Sequence, residues 1–215
     1  MKKIIILGIA AMPFFFASCG GSEADAEGTD TDSTAVTEHV EEVETIVNNY
    51  TVDTATSVIK WSNFHGEEVD HAGTVGVLNG SFEVSTTGEV STITSASLVV
   101  DMNSIQEESE KLVSHLKNED FFDVNSFATT EFTFDRHEGD MVYGTLSVVG
   151  KELAVEAPVS VTTDGDNASV SVGDFKLDFT SLEMPFFIED VKAPAEEQHD
   201  PNIGFSAEIA GTVAH

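Results

Sequence analysis

The sequence predicts an all-β domain of about eight antiparallel strands, preceded by a leader and a charged spacer. Three observations carry this. Apolar and polar residues alternate with a period of two from Tyr50 onward, Gly, Asn and Asp punctuate the alternating runs, and no repeated strand-helix-strand rhythm occurs. Each strand carries one apolar face, so eight of them either close as a barrel or stack as a sandwich, and periodicity alone does not choose. An immunoglobulin-like sandwich usually carries a cysteine pair, whereas this chain has 1 cysteine.

The chain opens on Lys2 and Lys3, followed by an apolar run over residues 4–16 that is short for a membrane span, and by the small residues Ala17 and Ser18. Residues 1–18 thus resemble a bacterial lipoprotein signal peptide. Cleavage before Cys19 would leave that residue as a lipidated N-terminus, and Phe16 stands where such signals usually have Leu. Several acyl chains, each contributing about 0.8 kcal/mol per buried CH₂, would make a stable anchor. Residues 19–49 are then the lipidated cysteine and an acidic tether. Residues 20–49 hold nine acidic side chains and no Lys or Arg, a composition that predicts disorder and a reach of roughly 30 Å from the bilayer. Gly20 after the cysteine resembles outer-membrane sorting, and the acidic start resembles surface-export signals. The expected location is the bacterial cell envelope, lipid-anchored at the outer membrane on its periplasmic or surface face.

Residues 50–215 are expected to form one domain. A net charge of −30 repels phosphate backbones, so nucleic acid is excluded as a partner, while 40% hydrophobic content supports a core. The strands are read at 57–64, 73–84, 94–102, 130–136, 141–149, 152–162, 168–179 and 203–213. Between 94 and 102 the apolar face holds Ala96, Leu98, Val100 and Met102, and between 152 and 162 it holds Leu153, Val155, Ala157, Val159 and Val161. The apolar phase slips between Val172 and Phe175 across Gly173, which predicts a β-bulge. Asn79-Gly80, Gly139-Asp140 and Asp164-Gly165-Asp166 read as tight turns. Residues 104–134 break the pattern. There Ser104 with Glu107 fits a capping box, and Leu112 with Leu116 gives an apolar stripe that would lay a short helix on the barrel.

Seven histidines invite a metal, but His65 and His71 lie six apart and no HExxH or HxH spacing occurs, so no metal site is expected. His115 near Asp120 lacks a recognisable nucleophile, and a structural hydrogen bond is the expected role. No catalytic residues and no cofactor are predicted, and the chain is not expected to be an enzyme.

Trp61, Ala72-Gly73-Thr74-Val75, Gly80-Ser81-Phe82, Asp101-Met102-Asn103-Ser104-Ile105, the run from Lys111 to Val124 and Leu146-Ser147-Val148-Val149-Gly150-Lys151 together resemble the YceI-like family. The most specific part is His115-Leu116-Lys117 followed by Asp120-Phe121-Phe122-Asp123-Val124. The resemblance spans Tyr50 to the C-terminus and implies a lipocalin-like eight-stranded antiparallel barrel with a short helical segment in one long connection. It also implies that the interior binds a long apolar chain, such as a quinone tail or polyprenyl phosphate, without catalysis. Combined with the alternation, it marks Leu98, Val100, Phe121, Phe122, Phe132, Phe134, Leu146, Val148, Phe175 and Leu177 as lining. Leu112 and Leu116 would form a lid or plug.

The pattern departs where the family often has Arg and this chain has Phe179, and the segment 184–201 is longer and more acidic than the family's. The implied partners are an apolar lipid, the membrane through acylated Cys19, and a second copy of the chain as an allowed homodimer. One rival reading is a structural or adhesive surface lipoprotein whose barrel is filled by its own side chains. The other is a lipid hydrolase or isomerase, for which no constellation is present.

Overall fold

A computed structural model describes residues 3–4, 43–66 and 68–214. Cys19 and the tether up to residue 42 lie outside the described residues. The strands are β1 (Lys3–Ile4), β2 (Thr45–Val52), β3 (Val58–His65), β4 (Glu68–Thr87), β5 (Val90–Gln106), β6 (Thr129–Glu138), β7 (Met141–Val148), β8 (Lys151–Asp164), β9 (Asn167–Asp178) and β10 (Asn202–Val213). Two short helices, α1 (Glu110–Leu116) and α2 (Pro185–Asp190), sit in the two long connections. β1 is a two-residue strand against Ile46 and Val47.

β4 through β10 pair antiparallel in sequence order. The circuit closes because β10 pairs with β9 on one side and with β3 and β2 on the other. β3 pairs with the first half of β4, up to Gly76, and β2 with its second half, Ser81 to Thr87. Together, β2 and β3 therefore fill one stave. The result is a closed eight-staved antiparallel barrel, as the family resemblance implied.

The alternation predicted the inward faces. On β8, Leu153, Val155, Ala157 and Val159 are all buried while the residues between them are exposed. The slip at Gly173 is a bulge: Phe205 and Ala207 of β10 pair with Phe175 and Val172 of β9, so β9 carries the extra residue.

Three local expectations are corrected. The tether was to extend to residue 49, yet Thr45–Asn49 already belongs to β2 and pairs with Glu83–Thr87. Tyr50, 1% exposed, and Val52 anchor that strand in the core, which outweighs the acidic composition before it. Asn79-Gly80 is no turn. β4 runs through it with a bulge at Leu78, and Gly is needed because a Cβ at Gly80 would stand 2.8 Å from both Leu98 Cδ1 and the Ser97 carbonyl oxygen. Ser104 caps no helix, since β5 continues to Gln106. Its hydroxyl accepts from Gly76 N–H (2.6 Å) and donates to the Asp101 carbonyl (2.6 Å). The helix cap is Ser109, whose Oγ accepts from Leu112 N–H at 3.3 Å.

The ends of the barrel differ. At the hairpin end, Gly88, Gly139 and Gly165 take positive φ in tight turns, and Tyr50 stacks on Phe82 at 5.2 Å. At the other end the two long connections meet. One hydrogen bond joins them directly, from Phe186 N–H to the Asp120 carbonyl at 3.0 Å.

Candidate functional site

The lid is assembled from two sequence-distant pieces. α1 is too short to be stable alone and is held by its apolar stripe. Leu116 is buried and Leu112 packs beside Val75, Val100, Met102 and Ile105. The chain then turns tightly, with Phe122 N–H donating to the Leu116 carbonyl (3.1 Å) and Asp123 N–H to the Asn118 carbonyl (2.8 Å). That turn presents Phe121 and Phe122 to the barrel. The second piece begins with a 3₁₀ turn, Phe179–Leu182, capped by Asp178, and continues into α2, with Pro185 at its first turn. Phe186 of α2 stacks on Phe121 with centroids 4.4 Å apart, and His115 meets Phe121 edge-on at 4.9 Å.

Beneath the lid lies an apolar cavity of about 370 Å³, toward the lower end of the roughly 300–1,000 Å³ range of small-molecule sites. Nine of the ten residues marked by the sequence border it: Leu98, Val100, Phe121, Phe122, Phe132, Leu146, Val148, Phe175 and Leu177. Phe134 is the exception. The β5–β6 ladder ends at Ser97 and Thr133 and a bulge follows at Asp135, so Phe134 sits where the strands part. It packs against the core and borders a separate shallow depression with Arg136 and Tyr143.

Alternation missed Phe179, Phe186 and Phe187, which also border the cavity. Pro185 followed by two phenylalanines was the available signal. Phe179, where the resemblance expects Arg, is 3% exposed and makes edge contact with Phe122 at 6.3 Å. A hydrocarbon wall therefore stands at that position.

Three histidines, Trp61 and Asn63 border the cavity at the lid end, while Ser81, Ser97, Thr130 and Ser206 border it farther along the strands. His115 Nε2 lies 3.2 Å from Asp120, His199 Nδ1 2.8 Å from Asp190, and His71 Nδ1 3.3 Å from Glu107. All three histidines border the cavity, as do Trp61 and Asn63 on β3. Trp61 Nε1 and Asn63 Oδ1 are buried without a hydrogen-bond partner among the described residues. Among those residues no group of three or more His, Cys, Asp or Glu is placed to hold a metal. The Thr180 hydroxyl and N–H hold the Asp178 carboxyl below the usual carboxylate range, and Lys151 does the same for Glu183 by hydrogen bond and charge. Both ion and cap lie outside the cavity and fix the connection that carries Phe179.

Such an arrangement suits burial of a flexible apolar chain, which gains about 2.5 kcal/mol per 100 Å² removed from water. The histidines, Trp61 and Asn63 stand together at the lid end, so a bound amphiphile would have its tail toward the hairpin end.

Residues 50–198 match the family described as YceI-like domain. No curated protein matches the chain. Among solved structures, BcnA of Burkholderia cenocepacia is 16% identical with a TM-score of 0.57, covering 75% of this chain and 99% of its own. A polyisoprenoid binding domain from Saccharophagus degradans, implicated in plant cell wall breakdown, is 14% identical with a TM-score of 0.57, covering 77% of this chain and 98% of its own. At such identities these structures speak to the fold.

Proposed function

Since the chain belongs to the YceI-like domain family, we propose that it binds, sequesters or carries a long apolar isoprenoid-like lipid in its barrel, without catalysis. The carrying observation is the lidded cavity: about 370 Å³ of apolar space remains inside a closed barrel, where a self-filled barrel would hold side chains. The polyisoprenoid binding named for the Saccharophagus degradans domain supports the choice of ligand class. The mechanism is burial. The tail lies among Val142, Val159, Val170 and Ile209, and Phe121 stacked on Phe186 closes the mouth.

Extraction of the purified protein into organic solvent, followed by mass spectrometry, tests this. A stoichiometric apolar molecule, or uptake of added polyprenol, is the expected result, and finding neither would leave the structural-lipoprotein reading. The proposal includes an acyl anchor on Cys19 that holds the domain at the envelope membrane, supported by the leader pattern of residues 1–18. Cys19→Ala should then release the protein into the soluble fraction; retention in membranes would count against the anchor.

A further inference from the structure

Taking the lipid-binding reading as its premise, we infer that the ligand's head is uncharged and carries a hydroxyl, so that the barrel accepts an unphosphorylated long-chain alcohol and rejects its phosphate ester. Two observations converge. First, the mouth is poor in basic groups. Among the described residues bordering the cavity there is no Lys or Arg. The three histidines there are faced by four carboxylates: His71 by Glu107 at 3.3 Å and Asp70 at 3.6 Å, His115 by Asp120 at 3.2 Å, and His199 by Asp190 at 2.8 Å. Carboxyl groups thus outnumber the histidines four to three.

Of the lysines on the elements at this end, Lys60 and Lys111 are exposed and do not border the cavity, and three others are engaged elsewhere. Lys117 donates to the Asn103 carbonyl, Lys192 to Glu189, and Lys176 lies over the Phe64 ring. A phosphate head would be desolvated near four carboxyl groups with no lysine or arginine bordering the cavity to receive it.

Second, the same mouth holds one orphaned donor and one orphaned acceptor. Asn63 Nδ2 donates to the Asp200 carbonyl at 3.1 Å, which leaves Oδ1 as the unpartnered atom. Trp61 Nε1–H is the unpartnered donor. Residues two apart on one strand share a face, and Trp61 and Asn63 both border the cavity. Buried polar atoms are seldom left unsatisfied. A hydroxyl meets both needs, accepting from Trp61 and donating to Asn63. A hydrocarbon meets neither, and an ester or ketone oxygen meets only the first. Trp61 is held in place by Gly73, its cross-strand partner, where any Cβ would run into the indole and the Gln106 carbonyl oxygen.

The chain contains 1 tryptophan, so Trp61 fluorescence of the full-length protein reports directly on the head site. Titrations would compare geranylgeraniol, geranylgeranyl phosphate and phytane, a headless hydrocarbon of similar length. The alcohol is expected to bind about tenfold more tightly than either competitor, the scale of one or two buried hydrogen bonds. Asn63→Leu should bring the alcohol down to the level of phytane while leaving phytane binding unchanged, which also reports an intact barrel.

Trp61→Phe provides a second variant, read by competitive uptake of geranylgeraniol and phytane with mass spectrometric quantitation, and should likewise erase the preference. Tighter binding of the phosphate, or an alcohol preference that survives both substitutions, overturns the inference. Equal binding of alcohol and phytane overturns it while leaving the lipid carrier standing. Binding of none of the three removes both.

Discussion

At the hairpin end of the barrel Tyr50, Phe82, Val84 and Ile93 are each no more than 5% exposed, and Tyr50 lies nearly parallel to Phe82. At the lid end the rings of Phe121, Phe122 and Phe186 are only partly buried, and they touch one another across two connections far apart in sequence. The first end is a packed core, in which every added strand contributes area. The cavity reaches down to Phe82 and Ile93, and the second end closes it with a few edge and stacking contacts. One end holds the barrel together and the other makes it useful, so substitutions at the two ends should have separable effects.

Phe82→Ala tests that division most severely. It deletes a buried ring against Tyr50 and Gly211 and should cost about 3–5 kcal/mol, read by urea denaturation. A cost near 1 kcal/mol would mean that the hairpin end is as loosely packed as the lid. Next in size is Gly80→Ala, at the junction where β4 bends and β2 takes over from β3. The new methyl would press on Leu98 and the Ser97 carbonyl and lie 3.1 Å from Val52 Cγ2. Overpacking there is expected to cost about 1–3 kcal/mol, and an unchanged denaturation midpoint would show that the bend relaxes freely.

Phe121→Ala belongs to the other class. The loss of its stack on Phe186 should lower stability by about 1 kcal/mol, yet accelerate release of bound geranylgeraniol several-fold in a stopped-flow Trp61 fluorescence assay. If release is unaffected, the lid does not gate the cavity.

The contrast between the ends also explains what could be read from sequence. Strand faces follow from period two, so alternation together with the family resemblance marked Leu98, Val100, Leu146, Val148 and Leu177, and the bulge at Gly173 followed from pattern alone. β2 was half hidden because Thr45–Asn49 directly follows a run of acidic residues, and only Tyr50 and Val52 supply deep burial. Asn79-Gly80 misled because that dipeptide is the strongest hairpin signal, whereas here the glycine answers close approach to Leu98. α2 has six residues, too few to show a helical period, and its partner Phe121 lies in the other long connection. Nor can alternation find orphans such as Asn63 Oδ1, because their isolation is a property of the assembled mouth.

The smallest expected effect concerns acid. Asp178 caps the 3₁₀ turn that places Phe179 on the cavity wall, with Oδ1 accepting from Thr180 Oγ1 at 2.6 Å and from Thr180 N–H at 2.9 Å. Both bonds favour the ionised form, so the folded carboxyl sits below its ordinary value. A depressed folded value means that its stabilisation is fully present above the unfolded value, about 3.9. It is lost as pH falls through the folded one. Asp178→Asn keeps an acceptor at the cap but removes the titration. The stability difference between the two proteins should therefore be flat from neutral pH down to about pH 5 and shrink below about pH 4. Because both are measured in parallel, the other carboxylates held low, Asp53 and Glu183, cancel from the difference. A difference that stays constant to about pH 2 would place the control of this turn in Phe179 packing and remove its charge from the account.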